Sequence, residues 1–166
     1  QALGAEAVLH CGDLIGAQTL KPALALGLPV HLIHGNNVGD PQALHNLARA
    51  SGALLRYHGA DARIELAGRR IFLVHYDHYG YAMACTGDWE LVCCGHSHHA
   101  EVRSVASVKG NQTWLVNPGT VAGLAAPASG GPAGPGRAVA RPTPPGVRPE
   151  DARQAGCQGS WASPGV

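Results

Sequence analysis

Several short apolar runs in this sequence empty into polar loops, and those loops deliver Asp13, Asn36, His75 and the pair His96 and His98. Carboxylate, amide and imidazole donors make an oxygen and nitrogen set suited to manganese, iron, zinc or nickel. Imidazoles two residues apart on an extended loop can point to the same side, so His96 and His98 can serve neighbouring ions while a carboxylate such as Asp13 bridges them. Two ions roughly 3.5–4 Å apart are what phosphoester hydrolysis favours, because together they generate the attacking hydroxide and stabilise charge on the phosphoryl oxygens. All ten histidines lie between His10 and His99, so such chemistry is not expected in the last third of the chain.

The elements that must carry these loops follow from periodicity. Residues 7–10 and 29–33 are apolar runs that read as buried strands, ending in Gly12-Asp13 and Gly35-Asn36-Asn37. Residues 19–27 and 41–50 have helical composition, the second with Asp40 as N-cap and Pro41 at the first helical position. Strand, helix, strand at this spacing predicts a largely parallel sheet, in which ligands gather at the carboxyl ends of strands. Alternation over 62–66, a turn at Ala67-Gly68-Arg69 and the apolar run 71–74 predict a hairpin that leads to His75. A short helix over 79–85 and a strand over 90–94 follow, the strand opening into Gly95-His96-Ser97-His98. Residues 101–108 and 113–116 predict a second hairpin before Asn117-Pro118-Gly119 turns the chain.

With 166 residues, 45% of them hydrophobic, the chain suits a single domain with a real core. A net charge of +1 without a Lys/Arg block argues against nucleic-acid binding. No run of roughly 18 apolar residues and no basic-then-apolar leader is visible, so neither a membrane span nor a signal peptide is expected and a cytoplasmic location is. The five cysteines form no Cys-x-x-Cys pair, which argues against a disulfide framework or a zinc ribbon; Cys11, Cys93 and Cys94 read as buried reduced thiols. From Pro127 onward the sequence holds eight of the twelve prolines and almost no large hydrophobes, too few to bury a core. A disordered tail, or a shifted reading frame, is expected over 124–166.

Taken in order, His10-Cys11-Gly12-Asp13, Gly35-Asn36-Asn37, the strand-end His75, Gly95-His96-Ser97-His98 and Asn117-Pro118-Gly119-Thr120 resemble successive blocks of the calcineurin-like metallophosphoesterases. Their spacing is similar to that of the small bacterial YfcE-type phosphodiesterases. The resemblance covers roughly residues 6 to 123 and implies a four-layer α/β/β/α sandwich over 1–123. It implies two divalent ions, manganese foremost, and a small-molecule phosphoester substrate. Asp13 would bridge both ions, Asn36, His75 and His96 would complete one site, and His98 would belong to the other. The family's Asp-x-His block has no counterpart before His10, and the chain opens on Gln1 with Met83 as its only methionine. An N-terminally truncated domain is therefore expected, missing a central strand and poorly stable in isolation. Asn37 stands where many members place a histidine that protonates the leaving group; an amide cannot titrate, which implies a preference for diesters with good leaving groups. Asp13, Asn36, Asn37 and His75 form the catalytic set that the resemblance implies.

Other polar residues read as supporting. His10 and His34 precede the loops and suit a core role or a place behind the ligands, and His99 should face away from the pair. Asp77 and His78 occupy a stretch where either could reach substrate, and Tyr76, Tyr79 and Tyr81 could line the pocket mouth. Two other functions fit the same residues: a non-catalytic protein-binding scaffold, as in the small retromer subunit of this fold, and a mononuclear regulatory or storage site for a transition metal. Oligomeric state is left open.

Overall fold

The computed structural model describes residues 5–120, and its strands fall into two sheets. In the first, β1 (Val8–His10), β2 (Val30–Leu32) and β3 (Leu55–Tyr57) pair in parallel in that order. The second contains β4 (Asp61–Leu66), β5 (Arg69–Val74), β6 (Leu91–Cys93), β7 (Ala100–Ala106) and β8 (Gln112–Pro118), in the order β4-β5-β6-β8-β7. Its centre, β5-β6-β8, is parallel, and the hairpins β4–β5 and β7–β8 add antiparallel margins.

Helices α1 (Lys21–Leu24), α2 (Pro41–Ala50) and α3 (Asp77–Thr86) lie in the crossovers that parallel pairing demands. Asp40 caps α2 by accepting from the Ala43 amide at 2.9 Å, ahead of Pro41, as the sequence leads one to expect. α1 is far shorter than the helix expected over 19–27. A 3-10 turn occupies Ala17–Leu20, and Pro22, which has no N–H, sits in the first turn of a helix that starts afresh at Lys21. α3 begins two residues earlier than expected and stops at Gly87, whose φ of 74° suits a residue with no Cβ.

Alternation along the strands assigns the layers. In β5, Ile71 and Leu73 join Leu9, Ile33, Ile64, Cys93 and Val116 in a cluster between the sheets. Phe72 and Val74, one residue out of phase, pack with Val92, Cys94 and Leu115 against Ala84 and Met83 of α3. On the outer side of the first sheet, Val30, Leu32 and Leu55 meet Leu20 and Leu44, with Leu24 and Leu47 at the margin. Three clusters between four layers give α1 and α2, sheet, sheet, α3, which is the sandwich expected. Each fully buried leucine, isoleucine or phenylalanine stabilises this stack by about 1.5–3 kcal/mol.

The cysteines behave as small hydrophobes: Cys11, Cys93 and Cys94 are buried and unbridged. Burial pushes the Cys94 thiol up to about 12 and Cys11 well above the usual thiol range. The expected tail at 124–166, like the far N-terminus, lies outside the described residues. Among the described residues no helix is long and apolar enough to cross a membrane.

Candidate functional site

The carboxyl ends of β1, β2, β5 and β6 carry the loops singled out above, and several of their polar side chains meet. The loops after β1 and β2 touch because of Gly35: a Cβ there would stand 1.9 Å from Asp13 Oδ1 and 2.4 Å from its amide. Only a residue without a side chain lets the two chains approach so closely. Asp13 then accepts from the backbone N–H of Asn37 at 2.9 Å and from its Nδ2 at 3.2 Å.

His75, 4% exposed at the end of β5, is fixed by its backbone neighbour across the sheets. Its Nδ1 lies 2.7 Å from the Cys11 carbonyl, and since a carbonyl can only accept, the ring proton sits on Nδ1. Nε2 on the other side of the ring faces Asn36 Oδ1 at 2.9 Å, with Asp13 Oδ1 at 3.5 Å. His96 completes the group: its Nδ1 is 3.0 Å from Asn36 Oδ1 and 3.3 Å from His75 Nε2.

Strain marks the same place. Four non-glycine residues among those described have positive φ, and three of them are Asp13 (57°), His96 (66°) and His98 (61°). Such conformations cost about 1–2 kcal/mol each and persist where the surroundings enforce them. For the histidine loop, the enforcing residue is Asn117, 3% exposed on β8. Its Nδ2 donates to the Gly95 carbonyl at 2.8 Å and the Ser97 hydroxyl at 3.0 Å, and its Oδ1 accepts from Gly119 N–H at 3.0 Å.

Among the described residues no group of three or more His, Cys, Asp and Glu side chains is set to hold a metal ion. The convergence that exists depends on an amide oxygen, that of Asn36. Ligands at roughly 2.0–2.2 Å from one ion lie about 3–3.5 Å from one another. The spacings of 2.9, 3.0, 3.3 and 3.5 Å among Asn36, His75, His96 and Asp13 fall in that range or at its edge. In the tautomer that carries its single proton on Nδ1, Nε2 and Asn36 Oδ1 both offer lone pairs, and a cation between them would relieve their repulsion. The residues present therefore fit a divalent ion. His98 follows in the same loop, half-buried.

The remaining candidates fall outside this contact. His10 Nδ1 accepts from Gly12 N–H at 3.3 Å, and burial holds its ring below the ordinary histidine range. His34 packs on Tyr57 with ring centroids 5.1 Å apart. His99 turns back to donate from Nδ1 to the Ser97 carbonyl at 2.7 Å. Asp77 and His78 open α3, their side chains 3.6 Å apart. Sequence reasoning missed the Cys11 carbonyl, since any residue supplies one. It also left Asn117 open to being a plain turn, and it gave Tyr76 no particular neighbour although that ring lies 4.7 Å from His96.

A two-sheet sandwich with these loops at its strand ends defines a class. Residues 1–132 match the calcineurin-like phosphoesterase superfamily domain, and the chain belongs to that superfamily. Among solved structures, a novel archaeal phosphodiesterase is similar at a TM-score of 0.62 and 21% identity, over 72% of this chain and 70% of its own. Vacuolar Protein Sorting 29 from Cryptosporidium parvum gives 0.48 and 14%, over 70% of this chain and 58% of that one. A Streptococcus pneumoniae protein predicted to be a phosphoesterase gives 0.48 and 12%, over 69% and 72%. At 21% identity the likeness to the archaeal phosphodiesterase is one of fold. No curated protein matches the chain.

Proposed function

We propose that this chain is a metal-dependent phosphodiesterase acting on a small phosphoester in the cytoplasm. The observation that carries the reading is the meeting of His75 Nε2, Asn36 Oδ1, His96 Nδ1 and Asp13 Oδ1 with the second His75 nitrogen already committed to Cys11. Asp13, Asn36, His75 and His96, with His98 beside them, are the residues that would hold divalent ions, two in the complete family site and manganese first. When bound, such ions supply a Lewis acid at phosphorus and an acidified water as nucleophile.

The chain's own groups do the rest. Cys11 fixes the His75 tautomer, so that Nε2 presents its lone pair without rearrangement. Asn37 orients the Asp13 carboxylate through two donors. Asn37 itself has no proton to lend near neutral pH, so departure of the alcohol depends on its own acidity or on water. Retention of four converging donors favours hydrolysis over a scaffold role for the same fold.

Equilibrium titration of the metal-free chain with manganese, read by electron paramagnetic resonance, tests this together with hydrolysis of bis(p-nitrophenyl) phosphate. Uptake is expected in the wild type, with a 10- to 100-fold loss of affinity or more in His75→Ala, about what loss of a group supporting a metal costs. A folded chain that takes up no divalent ion sinks the proposal.

A further inference from the structure

Exposed tyrosines are common and usually need no explanation. Tyr79 is a different case because it ends a continuous run of rings that starts at the candidate site. Tyr76 packs on His96 with centroids 4.7 Å apart at 62° and on His75 at 5.2 Å and 70°. Tyr79 stands edge-on to Tyr76 at 5.7 Å and 83°, with His78 tilted against it at 4.3 Å. Tyr76 is thus held by rings on the metal side and on the helix side, while Tyr79 remains 56% exposed. The other exposed tyrosine of α3, Tyr81, carries the Arg103 guanidinium over its ring at 4.9 Å. Of the two, Tyr79 is the one contiguous with the donors of the centre.

We propose that Tyr79, backed by Tyr76 and His78, is a stacking subsite for a flat aromatic ring carried on the phosphodiester, either a nucleobase or an aryl group. The inference rests on the reading of the neighbouring centre as a phosphodiesterase. Aromatic side chains take any ring by its π-face, so the surface selects for aromaticity and against aliphatic esters. The charge beside it sharpens the class. Asp77 lies in the same turn, 3.6 Å from His78 Nδ1, and its carboxylate repels further phosphate groups. The fitting ligand therefore has one phosphodiester and one ring rather than a polyphosphate chain.

Equilibrium binding of three phosphonates to the manganese-loaded full chain, measured by calorimetry, tests this without turnover. Phenylphosphonate and thymidine 5′-methylphosphonate are expected to bind ~10-fold or more tightly than methylphosphonate, in line with the worth of one stacked ring. That advantage is expected to vanish in Tyr79→Ala and to survive in Tyr79→Phe and Tyr81→Ala. The tighter of the two aromatic ligands identifies the ring type, and either order supports the subsite. Equal affinity for phenyl- and methylphosphonate, or an advantage unchanged in Tyr79→Ala, overturns it while leaving the metal centre intact. Failure of all three ligands to bind, together with no manganese uptake, overturns the phosphodiesterase reading and the subsite with it.

Discussion

Asn37 donates to Asp13 from its backbone N and from its Nδ2, and this ties the choice of leaving group to a single side chain. The backbone N–H would make its bond whatever residue stood there; the Nδ2 contact at 3.2 Å belongs to asparagine. Replacement by histidine keeps the first bond and adds a ring able to carry a proton at neutral pH. General acid catalysis matters most when the departing alcohol is a poor leaving group, and is worth about 10²–10⁴-fold there. Asn37→His is therefore expected to raise kcat/KM for an alkyl diester by at least ~10-fold relative to a p-nitrophenyl diester. Equal changes for the two substrates would show that the residue serves only to orient the carboxylate.

The loops after β1 and β2 show how an element's placement depends on one atom that is missing. A methyl group at Gly35 would overlap Asp13 Oδ1, and its nearest neighbours also include the Asp13 backbone, which cannot swing aside as a flexible side-chain end could. Gly35→Ala is expected to part the two loops and to weaken manganese binding by more than ~10-fold, with the far-ultraviolet circular dichroism unchanged; direct metal titration decides it, and wild-type affinity would mean that the loops can shift without cost. Much of this was legible beforehand. Apolar runs ending at Asp13, Asn36, His75 and His96 announce strands, and glycine beside a polar residue announces a loop, so the meeting of four strand ends could be anticipated. β3 could not, because Leu55, Arg56 and Tyr57 are too few to show a period. The positive φ of His96 and His98 was equally hidden: both were read as an extended loop, and the residue that holds that loop, Asn117, lies some 20 residues away, where the sequence marks a turn and a family block but not its bonds to Gly95 and Ser97.

At the scale of the whole molecule, His31 is a buried polar residue on the face of the first sheet that carries Leu9 and Ile33 towards the second. Val30 and Leu32 of β2 face the helices, so His31 faces the other way, beside Leu9 in the register of β1. Only 1% of it is exposed. It stacks on His58 with centroids 5.1 Å apart and planes 7° from parallel, its Nδ1 3.0 Å from His58 Nε2, while its own Nε2 has no hydrogen-bond partner. Burial, then the neighbouring His58 and Arg56, push the His31 ring down from 6.5 to about 4. The unfolded chain protonates this ring as pH falls through 6.5, whereas the folded protein resists until about 4. Stability is therefore unaffected by His31 above about 6.5, declines as pH falls across that window, and has lost ~3 kcal/mol through this group by its lower end. Burial also lowers His58 and His10, which adds in the same direction. Asp88 and Glu90, held down by Lys109 and Arg70, act in that sense too, but only in the more acidic carboxylate range. His31→Phe keeps a flat ring against His58 and removes the titration. Urea unfolding at a series of pH values from 8 to 4 should give a shallower fall for the variant, the two curves converging on the alkaline side and separating by up to ~3 kcal/mol towards pH 4. Parallel curves would place the acid sensitivity elsewhere and leave His31 as a stacking partner alone.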